Sequence, residues 1–291
     1  MKSRVQLLIA LTVPFIVLTA QAAEKPNVVF VLCDVLGFGD VHCLNPERGK
    51  ILTPRVDRLA REGMSFTDAH SGSSVCTPTR YDLLAGRYSW RTRLQKGVVQ
   101  GFAPCLIDEE RPTVASFLQE QGYHTAIIGK WHLDFLYQNP KTGETLPAKR
   151  KKEHRLAPVG SRIPDGPLQR GFNYFHGFHH AGDMKGVIED ETVIKHEDEI
   201  NMLPRITRKS VEYIDGRAEK DPAQPFFLYV PFGSPHSPIL PTKEWQGKSG
   251  LSSYADFVME TDDGFRQILE ALDRNGFTDN TLFGRKKSFY G

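Results

Sequence analysis

Residues 74–80 read S-V-C-T-P-T-R, a cysteine set directly before Thr-Pro-Thr-Arg in a chain with only four cysteines. Three chemistries are open to Cys76: half of a disulfide, a buried thiol, or an unusual reactive group. Other residues that can do chemistry are scattered along the chain. Asp34 follows the apolar run N-V-V-F-V-L-C, Lys130 and His132 sit in G-K-W-H, and His236 sits in S-P-H-S-P. A lysine ammonium is a point charge suited to an anionic oxygen, and a histidine can carry a proton near neutral pH. By itself a Lys-x-His pair is an ordinary surface occurrence, and one histidine in a Pro-rich loop is equally plain.

These residues need elements to bring them together. Asn27 to Cys33 is a continuous apolar run, as expected of a strand buried on both faces. Thr53-Pro54 offers an N-cap and a first helical residue before R-V-D-R-L-A-R-E, with Gly63 as the stop. Thr113 to Gln121 repeats the pattern, His124 to Ile128 reads as a buried strand, and Pro225 to Val230 as another. From Tyr254 to Asn275, residues Tyr254, Phe257, Val258, Phe265, Ile268, Leu269 and Leu272 share one helical stripe ended by Gly276. Strands alternating with helices predict an α/β fold around a largely parallel sheet flanked by helices. Ligands in such sheets sit beyond the carboxyl ends of the strands, where Asp34, Lys130 and His236 all fall. Between Asp134 and Gly171 periodicity is weak, and the basic run 148–155 (A-K-R-K-K-E-H-R) reads as a solvated loop rather than an anion-binding patch.

The chain has 291 residues, 40% hydrophobic and 25% charged, which suits a globular protein and excludes wholesale disorder. A net charge of +2 gives no electrostatic case for nucleic acid or a membrane surface as partner. Lys2 and Arg4 precede an apolar run from Val5 to Ala20, and Ala20-Gln21-Ala22 is a small-x-small cleavage signal. Residues 1–22 are therefore expected to be a signal peptide, with the mature chain periplasmic or extracellular and not inserted in a membrane. Export permits disulfides, and Cys33, Cys43, Cys76 and Cys105 can pair in three ways.

Cys-Thr-Pro-Thr-Arg followed by Leu-Leu-Ala-Gly-Arg resembles the C-x-P-x-R…G-R motif of the sulfatase family. The similarity extends in order through V-L-C-D-V-L-G-F-G-D, T-P-R-V-D-R-L-A-R-E-G-M-S-F-T-D-A-H, G-K-W-H-L, R-G-F-N-Y-F-H-G, P-H-S-P-I-L-P and D-N-T-L. It is nearest to bacterial, arylsulfatase-A-like members. The resemblance implies an alkaline-phosphatase-like fold and a sulfuric ester hydrolase acting on an aryl or sugar sulfate, with sulfated polysaccharide as one class. It also implies that Cys76 is converted to formylglycine by a formylglycine-generating enzyme that reads Pro78 and Arg80. One hydroxyl of the hydrated aldehyde would attack sulfur and the other would help expel sulfate, an exit that a serine lacks. Arg80 would hold the hydrate, Lys130 and His132 would contact the sulfate and the diol, and His236 would protonate the leaving oxygen. Hydrolysis of phosphate esters or phosphonates is disfavoured, because such relatives use threonine or serine outside this motif.

The family's calcium site departs here. It uses two consecutive aspartates after the first strand, the formylglycine, and an Asp-Asn or Asp-His pair after a later strand. Here the first pair is Asp34-Val35, and D-N-T-L continues as F-G-R-K-K-S-F-Y-G. Calcium takes six to eight oxygen ligands, so Asp34 and residue 76 are expected to bind it weakly or not at all. The expected organisation is an incomplete catalytic domain over 23–282 and a non-family tail over 283–291, with the last strands, the second active-site lysine and the C-terminal domain missing. The basic run 285–287 reads as a poor central strand, and the break at Phe283 as a frameshift or truncation. Low activity follows, and the competing class is a non-catalytic or anion-binding protein of sulfatase descent.

Overall fold

The computed structural model describes residues 25–66, 68–149 and 155–287; the expected signal peptide lies outside the described residues. Seven strands, in chain order, form its sheet: β1 (Asn27–Cys33), β2 (His124–Lys130), β3 (Tyr174–Phe178), β4 (Gly186–Glu189), β5 (Thr192–His196), β6 (Phe226–Pro231) and β7 (Thr281–Lys287). Their spatial order is β5-β4-β3-β2-β6-β1-β7. The five from β3 to β7 are parallel neighbours, and β4 and β5 add an antiparallel hairpin at one edge. The helices are α1 (Pro54–Glu62), α2 (Cys76–Ala85), α3 (Val114–Glu120), α4 (Met202–Lys220) and α5 (Ser253–Arg274).

The central strands are apolar along their whole length because both faces are covered. Val29, Val31, Ala126, Ile128, Leu228 and Val230 enter one core with Val56 of α1, Ile206 and Ile214 of α4, and Phe257, Phe265 and Ile268 of α5. Their alternate neighbours Leu32, Ile127, Phe227 and Tyr229 enter a second core with Tyr81 and Leu84 of α2, Ala115 of α3 and the loop residues Phe102, Ile107 and Phe135. Each fully buried side chain of this size contributes about 1.5–3 kcal/mol. Within α5, Leu269 is only partly covered, at the margin of the predicted stripe.

Three local expectations change. Thr53 sits at the N-cap of α1 but makes no side-chain cap, because its hydroxyl donates to Asp57 at 3.0 Å. The Asp262 carboxylate of α5 takes that role, accepting from the amides of Arg55 and Val56 at 3.1 and 3.0 Å. The basic segment 285–287, expected to be a poor central strand, continues β7, whose register runs from Asn27↔Thr281 to Cys33↔Lys287. Among the described residues β7 is an edge strand, a position where charged residues are well tolerated. Finally, Lys149 of the run taken as a solvated loop is buried, with its ammonium on Asp183 and 4.8 Å from the Phe102 ring centroid.

Candidate active site

The parallel strands deliver three of the expected residues to one end of the sheet. Asp34 follows β1 directly, Lys130 is the last residue of β2, and His236 lies on the loop after β6. The Asp34 amide donates to the Ser234 carbonyl at 2.9 Å, which ties the end of β1 to the His236 loop. Cys76 and Arg80 come from α2, four residues apart and therefore on one helical face. Cys76 opens that helix, so a negative group carried there meets the positive end of the helix dipole.

The side chains converge on Asp34. Lys130 Nζ donates to Asp34 Oδ2 at 2.5 Å and lies 3.4 Å from Cys76 Sγ. Arg80 Nη2 is 3.5 Å from the same oxygen, and Arg80 Nη1 donates to the Lys130 carbonyl at 2.7 Å. All four residues are buried. A ring nitrogen of the half-buried His236, a carboxylate oxygen of Asp34 and Cys76 Sγ lie within 4.8 Å of one another. Two cations against one carboxylate leave a surplus of positive charge beside the sulfur, which suits an anionic substrate group.

Burial alone would raise the Asp34 carboxyl, but Lys130, Arg80 and His236 outweigh it and hold the group below the usual carboxylate range. Burial wins at Cys76, raising its thiol despite Lys130. The unmodified side chain is thus a protonated thiol rather than a ready thiolate. Among the described residues no disulfide joins the four cysteines, which removes the disulfide reading of Cys76.

His132 reaches the site by a different route. Its backbone adopts φ 54°, its carbonyl accepts from the Thr77 hydroxyl at 3.0 Å, and its Nε2 donates to the Val99 carbonyl at 3.3 Å. Nδ1 is buried and has no hydrogen-bond partner. Burial, then Lys130, His180, His179 and Arg80, push its pKa well below the ordinary value, so the ring is neutral near neutral pH. The Thr77 hydroxyl thus ties the His132 backbone to the residue that follows Cys76.

A second group lies beside it, found by no motif: His179, His180 and Asp183, with ring nitrogens and a carboxylate oxygen within 4.8 Å of one another. The loops after β2 and β3 run side by side, His132 N donating to His179 O at 2.8 Å, which places the new group against His132. The run H-H-A-G-D was its only sequence signal. Its hydrogen bonds oppose a metal. His179 Nε2 accepts from the Asp134 amide and His180 Nδ1 from the Gly182 amide, so each ring must keep its proton on the other nitrogen. The Lys149 ammonium already occupies Asp183.

Calcium fares no better at the first group. Asp34 Oδ1 is buried without a partner and could accept from a cation, but Cys76 and His236 offer sulfur and nitrogen. Val35 adds no oxygen, and at φ 65° a β-branched residue is strained there. Among the described residues one carboxylate, already facing two cations, does not fit an ion that takes six to eight oxygens. No helix of the described residues is long and apolar enough to cross a membrane.

A family model described as Sulfatase matches residues 26–284. An N-acetylgalactosamine-6-O-sulfatase of Bacteroides thetaiotaomicron is 29% identical, covering 90% of this chain and 58% of its own. Arylsulfatase A of Bos taurus is also 29% identical, covering 90% of this chain and 51% of its own. A solved Bacteroides thetaiotaomicron protein from a locus for glycosaminoglycan metabolism superposes with a TM-score of 0.75 at 26% identity, over 89% of this chain and 61% of that one. The chain thus spans little more than half the length of the curated relatives it matches.

Proposed function

The chain belongs to the sulfatase family, and from that premise we propose that it hydrolyses sulfate esters at residue 76. The observation that carries this reading is the contact of Lys130 with both Asp34 and Cys76, with Arg80 behind it. A helix N-terminus and two cations beside residue 76 would draw in a sulfate group and hold its oxygens as sulfur is attacked. Converted to formylglycine and hydrated by water to the geminal diol, residue 76 would supply one oxygen to attack sulfur and a second to expel sulfate as the aldehyde re-forms, which the protonated thiol cannot do. His236, whose Nδ1 donates to the Ser237 carbonyl at 2.5 Å, keeps Nε2 for a proton on the departing alcohol oxygen. His132, neutral and with Nδ1 unpartnered, would accept the proton released when sulfate leaves. No step is assigned to calcium.

The substrate class we favour is a sulfated sugar, because the N-acetylgalactosamine-6-O-sulfatase named above shares 29% of its residues. Export to the periplasm or outside, and conversion of Cys76 by a formylglycine-generating enzyme, belong to the same reading. So does a catalytic domain over 23–282. The test is expression with and without that enzyme, mass mapping of the peptide carrying Cys76, and an assay on an aryl sulfate and on sulfated galactosamine. Sulfate release that requires the converted residue supports the proposal. A converted residue 76 with no turnover on any sulfate ester sinks it and favours a non-catalytic member that binds anions.

A further inference from the structure

The sulfatase motif leaves the residue after its cysteine unspecified, yet in this fold that residue is fully occupied. Thr77 is buried and its one hydroxyl makes two bonds. It donates to the His132 carbonyl at 3.0 Å and accepts from the Val99 amide at 3.3 Å. The Val99 carbonyl in turn accepts from His132 Nε2 at 3.3 Å. These contacts close a circuit from the Thr77 hydroxyl to the His132 backbone, through its ring to Val99, and back to Thr77.

The next carbonyl does the same for the next ring. Gln100 O accepts from His180 Nε2 at 3.1 Å, while His180 Nδ1 accepts from the Gly182 amide at 2.9 Å. A carbonyl oxygen can only accept, so both rings carry their proton on Nε2. For His132 this leaves Nδ1 as the lone-pair atom, buried and unpartnered.

The geometry points to Thr77 as a positioning residue that, through the Val99–Gln100 backbone, fixes His132 as the Nε2-protonated tautomer with Nδ1 as its proton acceptor. The inference rests on the proposed sulfate-ester reading only for the reaction that Nδ1 serves; the tautomer assignment stands apart from it. Thr77 also couples two events, since it is covalently next to the residue that becomes the nucleophile. Any shift of the first turn of α2 is transmitted to the His132 ring.

The test uses the full chain, labelled with 15N in its histidine rings, as wild type, Thr77→Val and Thr77→Ser. Wild type is expected to show His132 protonated on Nε2 and bare on Nδ1. Thr77→Val keeps the shape but leaves the Val99 amide and the His132 carbonyl unpaired. It should give a mixed or reversed tautomer, and turnover up to about 100-fold lower with little change in KM. Thr77→Ser retains the hydroxyl and should restore both. A wild-type His132 protonated on Nδ1 overturns the proposal, and so does an unchanged tautomer in Thr77→Val. If Thr77→Val does not fold, the wild-type and Thr77→Ser spectra still decide it. A tautomer that responds as expected in a protein that cleaves no sulfate ester instead defeats the functional reading alone.

Discussion

Lys130 Nζ and Asp34 Oδ2 meet at 2.5 Å in a fully buried pair that also touches the sulfur of Cys76. Removing the lysine strands a buried carboxylate that keeps Arg80, at 3.5 Å, and the more distant His236 as its compensating groups. Lys130→Met is therefore expected to cost about 3–5 kcal/mol in denaturant unfolding. The double variant Lys130→Met with Asp34→Asn should lose clearly less than the sum of the two single changes. Additive losses would show that the pair is not coupled.

Serine left unoxidised at position 76 keeps one oxygen and lacks the second that a hydrated aldehyde would carry. Cys76→Ser is expected to fold as the parent does and to reduce sulfate release to the uncatalysed background. Multiple turnover by that variant would show that a second oxygen on residue 76 is unnecessary.

Calcium titration calorimetry of the chain should show weak binding or none, since Asp34 is the one carboxylate of its group. Val35→Asp adds an oxygen donor and places a residue that tolerates positive φ where valine is strained at 65°. Calcium affinity should rise by about tenfold or more, and stability by roughly 1 kcal/mol. A tight single calcium site in the unaltered chain would contradict this account.

Asp262 gives a pH signature. Burial raises its pKa from 3.8 to about 6, against the pull of the Val56 and Arg55 amides. A carboxyl raised on folding is held protonated more tightly in the folded state, so unfolding releases that proton between about pH 4 and 6. The stabilisation it gives is full below that window and lost above it. Wild-type stability measured from pH 4 to 7 should fall more steeply with rising pH than that of Asp262→Asn. Equal slopes would mean that the cap of α1 is ionised throughout.

The strands β2 and β3 approach so closely that a Cβ on Gly177 would lie 1.9 Å from the Gly129 carbonyl oxygen. Because that atom is backbone and belongs to the strand that ends in Lys130, relief must move the site. Gly177→Ala is expected to cost about 1–3 kcal/mol by thermal or chemical unfolding, with a larger proportional loss of any activity. A neutral result would show that β3 can shift without consequence.

The central strands and α5 were legible because buried parallel strands must be apolar throughout and α5 carries a clear stripe. Asp34, Cys76, Arg80 and Lys130 were legible as a group through their ordered motifs, and they do converge. What stayed hidden has physical reasons. The hairpin of β4 and β5 is four and five residues long, too short for a period to declare itself. In α4, Pro204 and Gly216 blur a pattern whose buried positions include Leu203, Ile206, Ser210 and Ile214. The cap on α1 comes from Asp262, about two hundred residues away, and no local signal can announce that. The same holds for Lys149, which reads as part of a charge run until Asp183 arrives beside it.

The edge placement of β7 has a dynamic consequence. Among the described residues it is paired on one side only, along the full length of β1. Edge strands open at the low end of the stability range, so β7 amides should exchange with solvent well before those of β1. Each opening bares one flank of β1, the strand that Asp34 follows, but leaves β6 on the other flank, along with the hydrogen bond from the Asp34 amide to the Ser234 carbonyl. The anchor of the charged cluster is thus insured by its inner neighbour: the outer strand can breathe on its own clock without carrying Asp34 with it.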